Sequence, residues 1–329
     1  MSAAPAPTVT AVPAAPGRPG RRGRRPARLG VSAATRRQQA RLGVLLVAPA
    51  VALMLVFLVF PVLNAVYYVF VDFDGLDVTP PWVGLGNFTE LAQDRQVWAA
   101  AWNNLIWIVL GTVGPLVLGL TLALLLWGVR RGSTLYRIVF FLPYVLPQVA
   151  VGVVWGWIYA PTRGWLNRGL EAVGLGGLAR GWLGDPDTAL YAVIATAVWT
   201  ATGFVFVIIL SALRNVDTEQ VDAAMLDGAG YLQRLRYVVL PQIRPVFLMV
   251  TALTLIGGFA VFDLVFVMTG GGPANATEVL GTYAYSNAFQ LSRISYGTTL
   301  ALVVTALAVP VAVWLDRLQR RAALDGGGA

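Results

Sequence analysis

With 329 residues, 57% of them hydrophobic and only 12% charged, the chain is far more apolar than a soluble domain of its size and reads as a polytopic membrane protein. Its net charge of +8 comes from Arg alone, because Lys, His and Cys are all absent. Those absences exclude disulfides, thiolate and imidazole catalysis, Cys or His metal centres, and the Gly-Lys-Ser/Thr loop that holds nucleotide phosphates.

Residues 1–40 are rich in Ala, Pro, Gly and Arg without periodicity, and form an expected disordered tail. Nine Arg lie within the first 41 residues with no aromatic side chains between them, which reads as a topology signal rather than a nucleic-acid site. The tail is not read as a signal peptide, since the apolar run behind it is too long and lacks a small-residue cleavage site. That run, 42–71, is uncharged and contains Pro49 and Pro61, both tolerable in a membrane helix. A polar interval with Asp72, Asp74, Asp77, Glu90 and Asp94 separates it from a second run, 98–128. There Gly111, Gly114-Pro115 and Gly119 read as packing or a kink. Arg130, Arg131 and Arg137 precede a third run, 138–161, with Pro143 and Pro147 inside it. A Gly- and Trp-rich segment leads to the fourth, 189–213, and a polar loop, 214–245, to the fifth, 246–269. A Gly270-Gly271-Gly272-Pro273 turn follows, then a sixth run, 298–315, and a tail, 317–329. The expected fold is all-α, a bundle of about six spanning helices over residues 41–316.

Six crossings return both termini to one side. Nineteen of the 24 Arg lie on that side and only five (95, 163, 168, 180 and 293) on the other. The positive-inside rule therefore puts both termini and the 214–245 loop in the cytoplasm.

That loop has a pattern of its own. Asp217 or Thr218 is placed to cap a helix, and Glu219, Asp222 and Asp227 put negative charge on its early turns. Gly228 supplies a tight-turn position that ends the helix. Tyr231, Leu235 and Val238 or Val239 recur at helical spacing, until Pro241 and Pro245 are expected to disrupt the backbone ladder. The reading is a helix-turn-helix elbow with the small residues Ala223 and Ala224 at its tip, where a partner's surface could approach the backbone. Asp222-Ala223-Ala224, then Gly228, then Val238 and Leu240-Pro241 resembles the EAA loop of binding-protein-dependent ABC importer permeases. Two departures stand out: Asp222 replaces the family's leading Glu, and the upstream Pro is missing, with Asp217 near its place. The resemblance implies a type I importer permease fold and ATPase coupling through Asp222, Ala223, Ala224, Asp227, Gly228, Leu240 and Pro241. It also implies a bacterial inner-membrane location, a second and different permease subunit, two ATP-binding subunits that carry ATP and Mg, and an extracytoplasmic substrate-binding protein. The chain itself would bind no cofactor and catalyse no reaction.

The sugar branch of that family is the one resembled. Gly84-Leu85-Gly86-Asn87-Phe88, the stretch 262–273 (FDLVFVMTGGGP) with Ala276-Thr277-Glu278, Asn287-Ala288-Phe289 and Tyr296-Gly297 all look like its maltose/glycerol-phosphate/trehalose type. Sugar recognition joins aromatic faces to hydroxyl-directed polar groups in a largely apolar cavity. Trp199, Thr200 and Phe204 on the fourth run, and Thr254 and Gly258 on the fifth, supply those types. Asp263 is the one ionisable residue well inside a run, a placement that commonly marks a pathway but also serves caps and pairing. The alternatives are the same machinery for a non-sugar solute, or an autonomous secondary carrier, which should show internal repeats and more charge within its spans.

Overall fold

The computed structural model describes residues 33–129 and 132–326, so the expected disorder of residues 1–32 and the positions of Arg130 and Arg131 lie outside the described residues. The chain divides into two compact units at Val59–Phe60. The first contains α1 (Ala33–Met54) and a π-helical turn, Leu55–Val59. Its helix begins well before residue 41, because Ala, Gln and Arg at positions 33–41 are good helix formers that carry the apolar run outward.

The second unit runs through α2 (Phe60–Tyr68), α3 (Gly86–Gln93), α4 (Arg95–Leu126), α5 (Ser133–Val145), α6 (Gln148–Ile158) and α7 (Trp165–Ala172). It continues with α8 (Pro186–Leu213), α9 (Thr218–Leu226), α10 (Tyr231–Arg234), α11 (Leu240–Phe259), α12 (Asp263–Met268), α13 (Leu280–Tyr285) and α14 (Ile294–Gly326). Among the described residues, β structure is limited to one isolated antiparallel bridge, Val71 with Trp82. Five helical stretches are long and apolar enough to cross a bilayer. A sixth is the pair α5 and α6, bent by 96° at Leu146-Pro147, where Pro147 removes a ladder donor and holds Leu146 extended.

The core is the α4–α8 pair. Leu116 and Ala123 of α4 pack on Val205, Phe206, Ile209 and Leu210 of α8, and Val239, Ile243 and Val250 complete the cluster. Small residues set the spacing. A Cβ at Gly119 would lie 2.7 Å from Val205, one at Gly114 2.9 Å from Val198, and one at Gly203 would overlap the Phe140 carbonyl oxygen. Gly114 and Gly119 thus serve close packing.

Three boundaries differ from the sequence expectation. The fifth run is not one helix over 246–269: α11 stops at Phe259, Ala260–Phe262 leave helical geometry, and α12 starts afresh at Asp263. Pro241 and Pro245 do not end the elbow's second helix. A π-helical turn at Leu235–Val239 absorbs the proline ring and missing donor, so helix continues from Tyr231 to Phe259. Residues beyond 317 continue α14 rather than forming a separate tail.

Candidate functional site

Two places in the second unit gather the residues named above. The first is a cavity of about 390 Å³ between α4, α5, α6, α8 and α11, with the Ala260–Phe262 break in its lining. Thr200, Phe204, Thr254, Gly258 and Asp263 all line it. Phe204 stacks on Tyr144 with ring centroids 4.6 Å apart and planes 20° from parallel, so two aromatic rings stand together in the lining. The Thr200 hydroxyl donates to the Ala197 carbonyl at 2.8 Å, and Thr254 donates within its own helix to Val250 or Thr251. Both oxygens keep lone pairs free to accept. Asp263, at the first position of α12, is exposed, and its carboxylate accepts no hydrogen bond among the described residues.

Gly258 has a packing role at the cavity wall. It is buried, its carbonyl accepts from Asn104 Nδ2 at 3.3 Å, and a Cβ there would meet Ile108 at 3.1 Å. Trp199 departs from the expectation and does not line this cavity. One residue from Thr200 is a rotation of about 100° on a helix, and the indole instead packs edge-on to Trp155, beside an apolar groove of α4, α5 and α8. Trp107, Gly111, Tyr144 and Gln148 line the cavity without having been singled out as site residues. Gln148 had a readable signal: it is the one carboxamide in the third apolar run, directly after Pro147.

The second place is the elbow. Asp217 Oδ1 accepts from the Glu219 amide at 2.9 Å and caps α9. Gly228, at φ +83°, turns the chain out of the helix, with the Ala229 amide closing on the Ala224 carbonyl at 2.9 Å. Nothing lies within 4 Å of a Cβ built at Gly228. Asp222, Ala223, Asp227, Gly228 and Pro241 are exposed, Ala224 is half-buried, and Leu240 faces the core cluster with Val221. Sequence reasoning missed the two glutamines that hold the elbow to α11. The Asp217 amide donates to Gln242 Oε1 at 2.9 Å, and Gln242 Nε2 donates to Gln220 at 3.2 Å. It also missed the apolar surface beside the tip, where Leu226 is 86% exposed and Leu232 74%.

At the opposite end of the bundle from the elbow, Asp94 joins α4 to α13 and α14. Its carboxylate accepts from the hydroxyls of Tyr283 and Tyr296, both at 2.7 Å, and from the Gln96 amide at 2.8 Å. Burial pushes this carboxyl up, but the two tyrosines and the backbone amides outweigh it and hold it below the usual aspartate range. No group of three or more metal-ligating side chains occurs among the described residues.

The family described as "Binding-protein-dependent transport system inner membrane component" matches residues 115–324. A probable ABC transporter permease protein of Pyrococcus horikoshii is 33% identical over 268 residues, which cover 82% of this chain and 92% of that protein. The sulfoquinovosyl glycerol transport system permease protein of Agrobacterium fabrum is 31% identical, over 83% of this chain and 89% of its own. In fold, the chain is similar to a solved bacterial ABC transporter involved in the import of the acidic polysaccharide alginate. That likeness has a TM-score of 0.75 at 22% identity and covers 87% of this chain and 96% of the other.

Proposed function

The chain belongs to the binding-protein-dependent transport system inner membrane component family, and from that premise we propose that it is the permease subunit of an ATP-driven importer of a saccharide. The elbow carries the importer reading: a capped helix turned by Gly228 offers an unfinished apolar surface, outside the spans, to a separate ATPase. The cavity supports the saccharide reading, since its lining combines the Tyr144 and Phe204 rings with the hydroxyl residues Thr200 and Thr254. The named substrate of the Agrobacterium relative, a glycoside of glycerol, is of the same class.

In this reading two elbows, one from this chain and one from a second and different permease subunit, each seat on one of two ATP-binding subunits. ATP and Mg belong to those subunits, because this chain lacks the Lys of a phosphate loop. The asymmetry of Arg supports cytoplasmic termini and elbow, and an extracytoplasmic binding protein delivers the saccharide from the other face. ATP-driven closure of the nucleotide-binding pair moves the elbows, and the spans open outward. The elbow transmits this only if its contacts differ between the two states, because only differential binding shifts an equilibrium.

The test is saccharide-stimulated ATP hydrolysis by the reconstituted importer, comparing wild type with Gly228→Asp. The structure makes this substitution a clean probe, since the new side chain meets open space and the positive φ adds about 1–2 kcal/mol of local strain. Loss of stimulation, or loss of the ATPase on purification, is expected. A variant that assembles and transports at the wild-type rate overturns the coupling role.

A further inference from the structure

Asp263 opens α12 directly after the Ala260–Phe262 break and lines the cavity. It is exposed and is the one formally charged side chain in that lining, with no Arg there to neutralise it among the described residues. Other carboxylates of the chain have a structural use. Glu90 pairs with Arg293, Asp316 pairs with Arg320, and Asp94, Asp185 and Asp217 cap helices. Asp263 does neither: its carboxylate accepts no hydrogen bond and joins no ion pair among the described residues. A negative charge in the first turn suits the dipole of α12, but that helix has only 6 residues and the carboxylate is exposed, so the effect is small. An acid set among membrane spans without a structural use acts on what passes it.

Size and sign decide how it acts. A sphere of 390 Å³ is about 9 Å across, and at that distance an effective dielectric of about 20 disfavours a like charge roughly 20-fold. A charge on an enclosed ligand lies about that far from Asp263 or nearer. A cation is favoured by a similar factor, and a neutral hydroxyl finds an acceptor with both oxygens free. The rest of the lining is uncharged, so nothing in this chain offsets the sign. We propose that Asp263 makes the cavity a charge filter, which admits uncharged and aminated saccharides and turns away acidic ones. The inference rests on the saccharide reading above and narrows its substrate class.

The chain has no Cys, so a single thiol can report on the cavity. Gly257 lines it and is exposed, and a Cβ built there meets nothing within 4 Å. The complete complex carrying Gly257→Cys is treated with cationic, neutral and anionic methanethiosulfonates, and each rate is divided by that of a free thiol in solution. A complex with the unsubstituted chain gives the background from the other subunits. The anionic reagent should lag the neutral one about 20-fold. Adding Asp263→Asn should abolish the lag, whereas Asp263→Glu should keep it. Should the Asn variant fail to assemble, Asp263→Ser removes the same charge and must abolish the lag equally. No lag with Asp263 present, a lag that persists in the neutral variants, or a thiol that reacts with none of the reagents overturns the proposal. The same thiol then reads the ligand through sugars of one ring size that differ in charge. Glucose and glucosamine should slow its reaction with the neutral reagent, and glucuronate should do so only with Asp263→Asn. Protection by glucuronate while Asp263 is present overturns the filter. If none of the three sugars protects although the charged reagents discriminate, the saccharide reading falls and the charge rule stands for another solute.

Discussion

The Asp94 rim and the elbow sit at opposite ends of the same spans and are held by different means. The rim is closed within the chain: Asp94 binds two tyrosines, Asn103 binds the Ala276 and Glu278 carbonyls at 3.1 and 2.9 Å, and Ser295 accepts from the Phe73 amide at 2.9 Å. Arg293 pairs with Glu90 and lies over the Tyr296 ring. The elbow has no fully buried residue in α9 and is held by exposed bonds to Gln242 and by Val221 and Leu240 against the core cluster. Its largest apolar side chains face outward. A rim that pairs most of its polar groups within the chain is largely finished when the chain folds, whereas an elbow that leaves Leu226 and Leu232 exposed is, in the proposed reading, finished by another surface. The comparison therefore separates residues whose loss costs stability from residues whose loss costs assembly.

The largest effect should come at the rim. Asp94→Ala strands two tyrosine hydroxyls and removes the cap of α4, a cost of about 3 kcal/mol. A thermal melt of the purified complex without nucleotide should show it, and an unchanged melt would break the comparison at its stronger end. Next comes Leu226→Ala. The side chain is 86% exposed, so the melt should move by no more than about 0.5 kcal/mol. As a central contact for a partner, however, it should cost about 2 kcal/mol of ATPase affinity, near 30-fold, in a titration of the permease pair with its ATPase. An unchanged affinity would show that the exposed apolar face is not where the partner sits.

The two ends were also unequally legible in sequence. Hydropathy is a property of contiguous residues, so the spans could be read directly, as could the Asp217 cap and Gly228 turn of the elbow, which join residues only a few positions apart. The rim joins Asp94 to Tyr283 and Tyr296 across 189 and 202 positions, and no local pattern announces such a contact. The break at Ala260–Phe262 was hidden because hydropathy does not distinguish one helix from two consecutive ones. Pro241 does disturb the α-helical ladder, as the π-turn at Leu235–Val239, but the helix runs on through it, because a π-turn accommodates the ring without ending the helix. Trp199 and Thr200 both suit a sugar site by type, but without a helix phase their faces could not be told apart. The rotation of α8 against α4, set by Gly114 and Gly119, decides it.

Gln242→Ala tests the link between the elbow and its span. It removes two exposed hydrogen bonds, so the cost is about 1 kcal/mol. The effect should be local, with faster amide exchange across 218–226 and none at 94–97. Exchange that rises at both ends would mean that the two regions unfold as one.

The smallest effect, and the sharpest in sign, belongs to Glu278. Its side chain is buried, Oε1 has no partner, and Gly271 at φ +90° lies so close that a Cβ would overlap Oε2. Burial raises this carboxyl above its ordinary value of 4.5, with Thr282 pulling weakly the other way. A carboxyl that is harder to ionise when folded favours the folded chain at low pH. That contribution is fully present below 4.5 and is lost as the pH rises through the raised folded value. Asp94 has the opposite sign: its contribution is present above 3.8 and is lost only as the pH falls through its lowered value. Glu278→Gln keeps the shape and removes the charge, so it should stabilise the rim at neutral pH by about 1 kcal/mol or less. Melting temperatures of wild type and variant should converge as the pH falls toward 4.5 and separate above it, with the variant higher. A variant that melts lower at neutral pH would mean that the ionised carboxylate supports the Gly271 turn, and that the rim depends on a charge rather than tolerating one.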